Sequence, residues 1–336
     1  MSRFKALVLL LSVSFASVAY SQTPVDPDDV IRTDSDVTSL LLTATDKQRR
    51  FITTLRAEDL RVLEDGKAQQ VFTFQRETDR PLALALLIDI SASEERTLPR
   101  EKNAARLFIQ RVLKSEKDQA AVIPFTDMAY LEQPLTRDVL GIYKSLERVE
   151  VALPAYLGSG RPLIGFPSGP GLPGPPDKGS TAIWESLHLT ARLILEPIRD
   201  QRRRAIILLT DGWDTAFESR ITRSQAIDSV LTAEAVIYAI GIGDENQDGV
   251  NKGTLRDIAE RTGGRAFFPK KEEDLNAAFA EIEQELRTQY LLAYSSTNKN
   301  RDGSYRQVVI EITNPLLQKD KVQLRHRPGY FARPSP

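Results

Sequence analysis

Four short, uninterrupted apolar runs recur through the middle of the chain: LALALLIDI (82–90), AAVIPF (120–125), AIILLTD (205–211) and VIYAIGIG (236–243). None alternates with polar residues, so none can present a wet face as a strand. Each must be covered on both sides, which is the condition of strands in a largely parallel sheet. The segments between them have helical periodicity. In EKNAARLFIQRVLK (101–114), Ala105, Phe108, Ile109 and Val112 follow the i, i+3, i+4, i+7 spacing of one buried face. TLRDIAERTGG (254–264) ends in Gly263-Gly264, a helix stop, and EEDLNAAFAEIEQELRT (272–288) is a further helix. Residues 80–287 therefore predict a doubly wound, mostly parallel α/β sheet with helices on both faces.

The flanks are strand-like and individually too small to bury a core. Before the α/β region lie VTSLLLTAT and FITTLRAEDLRVLEDGKAQQVFTFQRE, in which Asp65-Gly66 supplies a tight hairpin turn between RVLE and QQVFTF. After it come QYLLAYSST, SYRQVVIEIT and KVQLRHRPGYF, the first two joined by the turn residues Asn300-Arg301-Asp302-Gly303. The economical expectation is that residues 30–78 and 288–332 form one small β-sandwich-like domain, with the α/β domain inserted between its halves. Residues 150–180, rich in Pro and Gly and without a period, form a loop insertion: either a disordered excursion or part of a functional surface. MSRFKALVLLLSVSFASVAYS (1–21) has the basic start, short apolar core and small alternate residues of a signal peptide, so the mature chain is expected to be exported, periplasmic or extracellular, with no membrane span after cleavage.

The 45 Lys+Arg residues against 46 Asp+Glu give no basic excess, which argues against a nucleic-acid partner. With no cysteine, an exported chain depends on its core and bound ions, not on disulfides. No signal for an oligomeric state is present.

Ligands of open parallel sheets bind beyond the carboxyl ends of the strands. Three such segments carry oxygen donors: Asp89-Ile-Ser91-Ala-Ser93, Gly179-Ser180-Thr181 and Thr210-Asp211-Gly212. Hard divalent cations prefer oxygen ligands, and hydroxyls combined with only two carboxylates would leave a cation seeking one more anionic oxygen. Here the chain resembles a von Willebrand factor type A (VWA) domain with a complete metal-ion-dependent adhesion site. That family's Asp-x-Ser-x-Ser pattern falls on Asp89, Ser91 and Ser93, its threonine on Thr181 in GSTAIWESL, and its second aspartate on Asp211 in LLTDG. The resemblance spans about residues 80–287, and the flanks are similar to secreted bacterial proteins related to that family.

The resemblance implies that Ser91, Ser93 and Thr181 ligate Mg²⁺ (or Mn²⁺/Ca²⁺) through hydroxyls, with Asp89 and Asp211 acting mainly through waters or hydrogen bonds. It implies a non-enzymatic, adhesion-type module whose cation captures an Asp or Glu of a protein partner. Ala92 and Glu94 stand where family members often have Gly and an apolar residue, a departure expected to leave the ligands intact. Arg96 and Thr97 replace the acidic pair of a neighbouring calcium site in integrin β-type domains, so no such second site is expected. An envelope scaffold with a structural metal is the alternative; a metal-dependent phosphoester hydrolase is a further one, but no general base or nucleophile is evident.

Other features have ordinary readings. GIGDENQDGVNKGTL has Asp244, Asn246 and Asp248 at EF-hand spacing but Leu255 where the bidentate glutamate belongs, so it reads as a polar turn. His188 and His326 have no metal-like neighbours and read as structural. QRRRA (201–205) reads as a solvated strand entrance, and Trp184 as a core or rim residue.

Overall fold

The computed structural model describes residues 37–76, 80–114, 116–152, 180–198, 200, 202–216, 220–243 and 249–332. The signal-peptide segment, nearly all of the Pro/Gly-rich insertion and the Asp244–Asp248 turn lie outside them. The described residues belong to one compact unit, Asp36–Pro336.

The N-terminal strands are β1 (Val37–Thr45), β2 (Leu60–Glu64), β3 (Lys67–Gln69) and β4 (Val71–Arg76). The hairpin at Asp65-Gly66 forms as the dipeptide predicts, with φ of 47° and 77° at the two residues. The strand after it differs from the expectation. QQVFTF does not run on as the second arm: β3 ends at Gln69 and pairs with β2, whereas β4 pairs with β11 (Tyr290–Ser295) in another sheet. A single break at Gln70 thus sends one apparent strand into two layers.

The α/β region follows as β5 (Leu82–Asp89), α1 (Leu98–Val112), β6 (Gln119–Phe125), β7 (Gln133–Thr136), α2 (Val139–Arg148), α3 (Ile183–Leu189), β8 (Arg203–Thr210), α4 (Arg223–Thr232), β9 (Ala235–Gly241), α5 (Lys252–Arg261), β10 (Ala266–Phe267) and α6 (Glu272–Arg287). Its strands form one sheet in the order β10-β9-β8-β5-β6-β7, parallel except for the edge strand β7. All eight residues of β5 are buried, because the pleat sends them alternately into two cores. Leu82, Leu84, Leu86 and Ile88 pack with Phe108 and Ile109 of α1 and Phe279 and Ile282 of α6. Ala83, Ala85 and Leu87 pack with Ile183 and Leu187 of α3, Ile227 of α4 and Ile258 of α5. Each fully buried Leu or Ile contributes about 1.5–3 kcal/mol, which is why no polar residue interrupts these runs.

Gly263-Gly264 stops α5 as the sequence predicts. Gly263 has φ 88° and donates to the Glu260 carbonyl, and Gly264 donates to the Ala259 carbonyl, the two bonds of a Schellman cap. The basic run Arg202–Arg204 is not a solvated entrance. Arg202 pairs with Asp200 and donates to the Lys117 carbonyl, Arg203 donates to the Arg80 and Leu286 carbonyls, and Arg204 to those of Ile198 and Ala233. Guanidinium groups, with five donors each, satisfy carbonyls left over where helices and loops end beside β8.

The chain closes with β11, β12 (Tyr305–Ile312), α7 (Pro315–Lys319), β13 (Gln323–His326) and β14 (Gly329–Phe331). These combine with the N-terminal strands as two antiparallel four-stranded sheets, β13-β1-β11-β4 and β14-β12-β2-β3. Leu40, Leu42, Leu292 and Tyr294 from the first meet Val62, Val308 and Ile310 from the second in a third core. The fold is thus a mostly parallel α/β sheet carried between the two halves of a small β-sandwich.

Candidate metal centre

The carboxyl ends of β5 and β8 lie side by side, because the two strands pair in register up to Ile88 and Leu209. Asp89 and Asp211 therefore emerge together. Asp89 is completely buried and accepts hydrogen bonds from the Thr210 hydroxyl (2.6 Å) and the Ser91 backbone N–H (3.0 Å). The Ser91 and Ser93 hydroxyl oxygens are 3.0 Å apart, brought together not by an extended strand end but by the single helical turn Ala92–Glu94 that Ser91 opens. Asp211 accepts from the Trp213 N–H at 2.9 Å. Gly212 between them has φ 85°, and a Cβ there would come within 2.8 Å of Leu255, so this turn admits only glycine.

Thr181 reaches the same edge through backbone bonds. Its N–H donates to the Thr215 hydroxyl (2.8 Å), and its carbonyl accepts from the Thr215 N–H (2.9 Å). On the other side, the Thr126 hydroxyl donates to the Ser180 carbonyl (2.8 Å), and the Ala182 N–H donates to the Thr126 carbonyl (2.6 Å). Thr126 follows β6, the neighbour of β5. The Trp184 N–H donates to the Asp214 carboxylate at 3.0 Å, so Asp214 caps the start of α3 immediately after Thr181. Trp184 packs against the core under α3 and α4, whereas Trp213, 42% exposed, stands on the rim. Neither Thr126, Asp214 nor Thr215 was singled out by sequence; the TDGWDT spacing was the available signal.

Among the described residues, one group of three acids could converge on a cation: Asp89, Glu94 and Asp211, with ligand atoms all within 4.8 Å of one another. The family pattern leaves Glu94 outside the ligand set. Glu94 is nonetheless fully buried, with the Thr97 hydroxyl donating to Oε2 at 2.5 Å. Burial and the neighbouring charges hold three carboxyls above their ordinary range. Asp89 is pushed up to about 6 by burial, with the Asp211 charge adding to it and hydrogen bonds from Thr210 and Ser91 opposing it. Glu94 is pushed up to about 10 by burial, then by the charges of Glu101 and Asp89. Glu101, on α1 and equally buried, is pushed up to about 7, again by burial first.

The sign of the resulting pH dependence follows directly. All three values are raised on folding, so the unfolded chain releases these protons first as pH rises. The associated stability is complete below about pH 4 and is lost as pH climbs through about 6, 7 and 10. Each group costs about 1.4 kcal/mol per pH unit within its window. In EDTA the melting temperature is therefore expected to be higher at pH 5.5 than at pH 8. Divalent cation should raise it more at pH 8 than at pH 5.5, since it favours the ionised carboxylates. Calorimetry at the two pH values checks this; a metal-free melting temperature that rises toward pH 8 would contradict it.

The histidines are accounted for structurally. His188 Nδ1 lies 2.7 Å from the Ser229 hydroxyl and His326 Nδ1 2.7 Å from the Arg327 carbonyl oxygen.

No family model matches this chain. No curated protein matches it either. Solved structures do resemble it. A von Willebrand factor type A protein from Catenulispora acidiphila is 15% identical, covering 90% of this chain and 75% of its own, with a TM-score of 0.48. Proximal thread matrix protein 1 from the mussel byssus, with a zinc-occupied metal-ion-dependent adhesion site, is 20% identical over 66% of this chain and 50% of its own, with a TM-score of 0.48. An aerotolerance-related membrane protein from Bacteroides fragilis is 20% identical over 61% of this chain and 98% of its own, with a TM-score of 0.43. This chain spans about half the length of the byssus protein it matches. In its own topology, the α/β part is a six-stranded, mostly parallel sheet with one antiparallel edge and helices on both faces. Among the described residues, no helix is long and apolar enough to cross a membrane.

Proposed function

We propose that this chain is an exported, non-enzymatic protein-binding module of the VWA type, in which a divalent cation at the carboxyl edge of the sheet captures an acidic residue of a partner. The observation that carries the reading is the convergence of Asp89, Ser91, Ser93 and Asp211 at the ends of β5 and β8, with Thr181 pinned to the same edge. The donor set is oxygen only, which fits Mg²⁺, Mn²⁺ or Ca²⁺. Ser91, Ser93 and Thr181 would hold the ion through hydroxyls, with Asp89 and Asp211 supplying the charge. When bound, the cation supplies an electrophilic position for a carboxylate. Trp213 on the rim adds an exposed aromatic surface beside it. The division into an α/β domain (80–287) inserted between β-domain halves (30–78 and 288–332) belongs to the same reading.

The test begins with calorimetric titration of the metal-free chain with Mg²⁺ and Mn²⁺. A displayed random-peptide library is then selected on the immobilised chain in Mg²⁺ and eluted with EDTA. Enriched peptides should contain an Asp or Glu whose replacement by Asn or Gln abolishes retention. Retention that persists in EDTA, or enrichment of acid-free peptides, overturns the capture mechanism. Metal that raises the melting temperature while no acidic peptide is selected would favour the scaffold reading, and turnover of generic phosphoesters would favour the hydrolase.

A further inference from the structure

The acidic group at the sheet edge contains one member that the adhesion-site pattern does not include. Glu94 lies in the single helical turn Ala92–Glu94 directly after Ser93, and no part of its side chain reaches solvent. Its Oε2 takes the Thr97 hydroxyl, whereas Oε1 has no hydrogen-bond partner. One of its oxygens is within 4.8 Å of ligand atoms of both Asp89 and Asp211. Beside it, Glu101 is also completely buried, and its carboxyl meets the Thr97 hydroxyl and the Glu94 carboxyl. A buried, unpaired carboxylate oxygen costs on the order of several kcal/mol if ionised; a proton shared with Glu101 leaves Glu94 uncharged, so it does not offset the ionised form. A cation between Asp89, Glu94 and Asp211 would.

We infer that Glu94 is an additional protein ligand of the cation, making this a three-carboxylate site for a hard divalent ion. The inference rests on the cation site proposed above and defines its character further. Two carboxylates with neutral hydroxyls match the charge of a divalent ion and leave it in need of an outside anion. A third carboxylate changes that balance. The ion is then held by the chain itself, in advance of any partner, and an incoming Asp or Glu meets a less electrophilic centre. Three acids and three hydroxyls also offer more oxygens than octahedral Mg²⁺ can use while keeping its waters, so the larger Mn²⁺ and Ca²⁺ suit the site better. Glu101, one helix turn from Thr97, meets the Glu94 carboxyl and can take its proton when the ion binds.

The test measures metal binding alone. Mn²⁺ affinity is determined by titration calorimetry on the full chain and on Glu94→Gln, with Asp89→Asn as the loss-of-site reference and Glu95→Gln, an exposed neighbour, as the silent one. Glu94→Gln is expected to weaken Mn²⁺ at least tenfold and to weaken Ca²⁺ more than Mg²⁺. Terbium luminescence, sensitised by Trp213 beside Asp211, gives the second readout. Its lifetimes in H₂O and D₂O count coordinated waters, and Glu94→Asp, which withdraws the acid by one methylene, should add at least one. Glu94→Gln binding Mn²⁺ as tightly as the parent chain, while Asp89→Asn loses it, overturns the inference and leaves the cation site standing. Unchanged water count in Glu94→Asp overturns it likewise. Failure of the parent chain to bind any of these ions overturns both.

Discussion

Replacing Asp89 by Asn is expected to weaken divalent-cation binding at least a hundredfold, while the metal-free protein melts no lower than the parent chain. The first half follows from position. Asp89 ends the central strand, is completely buried and lies against Asp211 and Glu94, so its charge faces the ion with little solvent to screen it. A hundredfold loss corresponds to about 2.7 kcal/mol, well within the worth of one buried carboxylate to a cation. The second half follows from shape. Asn is isosteric, its carbonyl can accept the Ser91 N–H bond now made to Oδ1, and its amide can donate to the Thr210 hydroxyl oxygen that now donates to Oδ2. What disappears is a like charge among buried acids that has to be protonated or compensated. The two effects therefore run in opposite directions, which separates a ligand from a core residue. Calorimetric titration with Mn²⁺ and differential scanning calorimetry in EDTA measure them. A variant that keeps its affinity within a few-fold would remove Asp89 from the site, and one whose metal-free form melts more than about 10 °C lower would make it a structural acid.

How much of this was legible in the sequence depended on the range of the interactions. The parallel sheet was visible because burial on both faces removes every polar residue from a strand, as in LALALLI, and no other common element requires that. The helix stop at Gly263-Gly264 and the turn at Asp65-Gly66 were visible because positive φ selects glycine locally. The jump of β4 into a different sheet was not, since Lys67–Gln69 and Val71–Arg76 read as one strand until their partners β2 and β11 are known. At the site, Asp89, Ser91 and Ser93 could be grouped by spacing, but the residues that fix Thr181 could not. Thr126, Asp214 and Thr215 come from two other strand ends, and only the order of strands in the sheet brings them to the Ser180–Trp184 segment. Glu94 shows the opposite failure. It is adjacent in sequence to the motif, yet its importance lies in complete burial without a partner for Oε1, and burial of a glutamate after a serine-rich turn is not written in the local pattern. Arg202–Arg204 are hidden for the same reason: three successive arginines usually mark solvent, and most of their carbonyl partners come from distant loops and helix ends.

A second large effect is expected far from the sheet edge. Glu64→Ala should destabilise the protein by about 3–5 kcal/mol and lower its melting temperature by on the order of 10 °C, with Mn²⁺ affinity unchanged. Glu64 ends β2 and is buried between the two small sheets. Its Oε2 accepts the Tyr294 hydroxyl from β11 (2.8 Å) and the Tyr330 hydroxyl from β14 (2.9 Å), and its Oε1 accepts the Ser296 hydroxyl and faces Arg306 Nη1 of β12 at 3.4 Å. Burial, with the Glu64 carboxylate beside it, holds the Tyr294 phenol well above its usual range, so the proton stays on the donor throughout the physiological pH range. One carboxylate thereby ties strands from before residue 80 to strands from beyond residue 288, across both layers of the sandwich. Truncation to Ala takes this acceptor from the Tyr294 and Tyr330 hydroxyls and leaves the Ser296 hydroxyl only the Asn298 carbonyl. It also leaves the Arg306 guanidinium, itself buried, with only the Ser296 hydroxyl and the Asn298 and Asn300 carbonyls. Charge left unpaired in an apolar setting costs more than the pair contributed, so the double variant Glu64→Ala/Arg306→Met should recover part of the loss. Denaturant unfolding of the single and double variants measures this coupling. A single variant within about 1 kcal/mol of the parent chain, or a double variant whose losses simply add, would show that the sandwich is held by its apolar core of Leu40, Leu292, Val62 and Ile310 and not by this carboxylate.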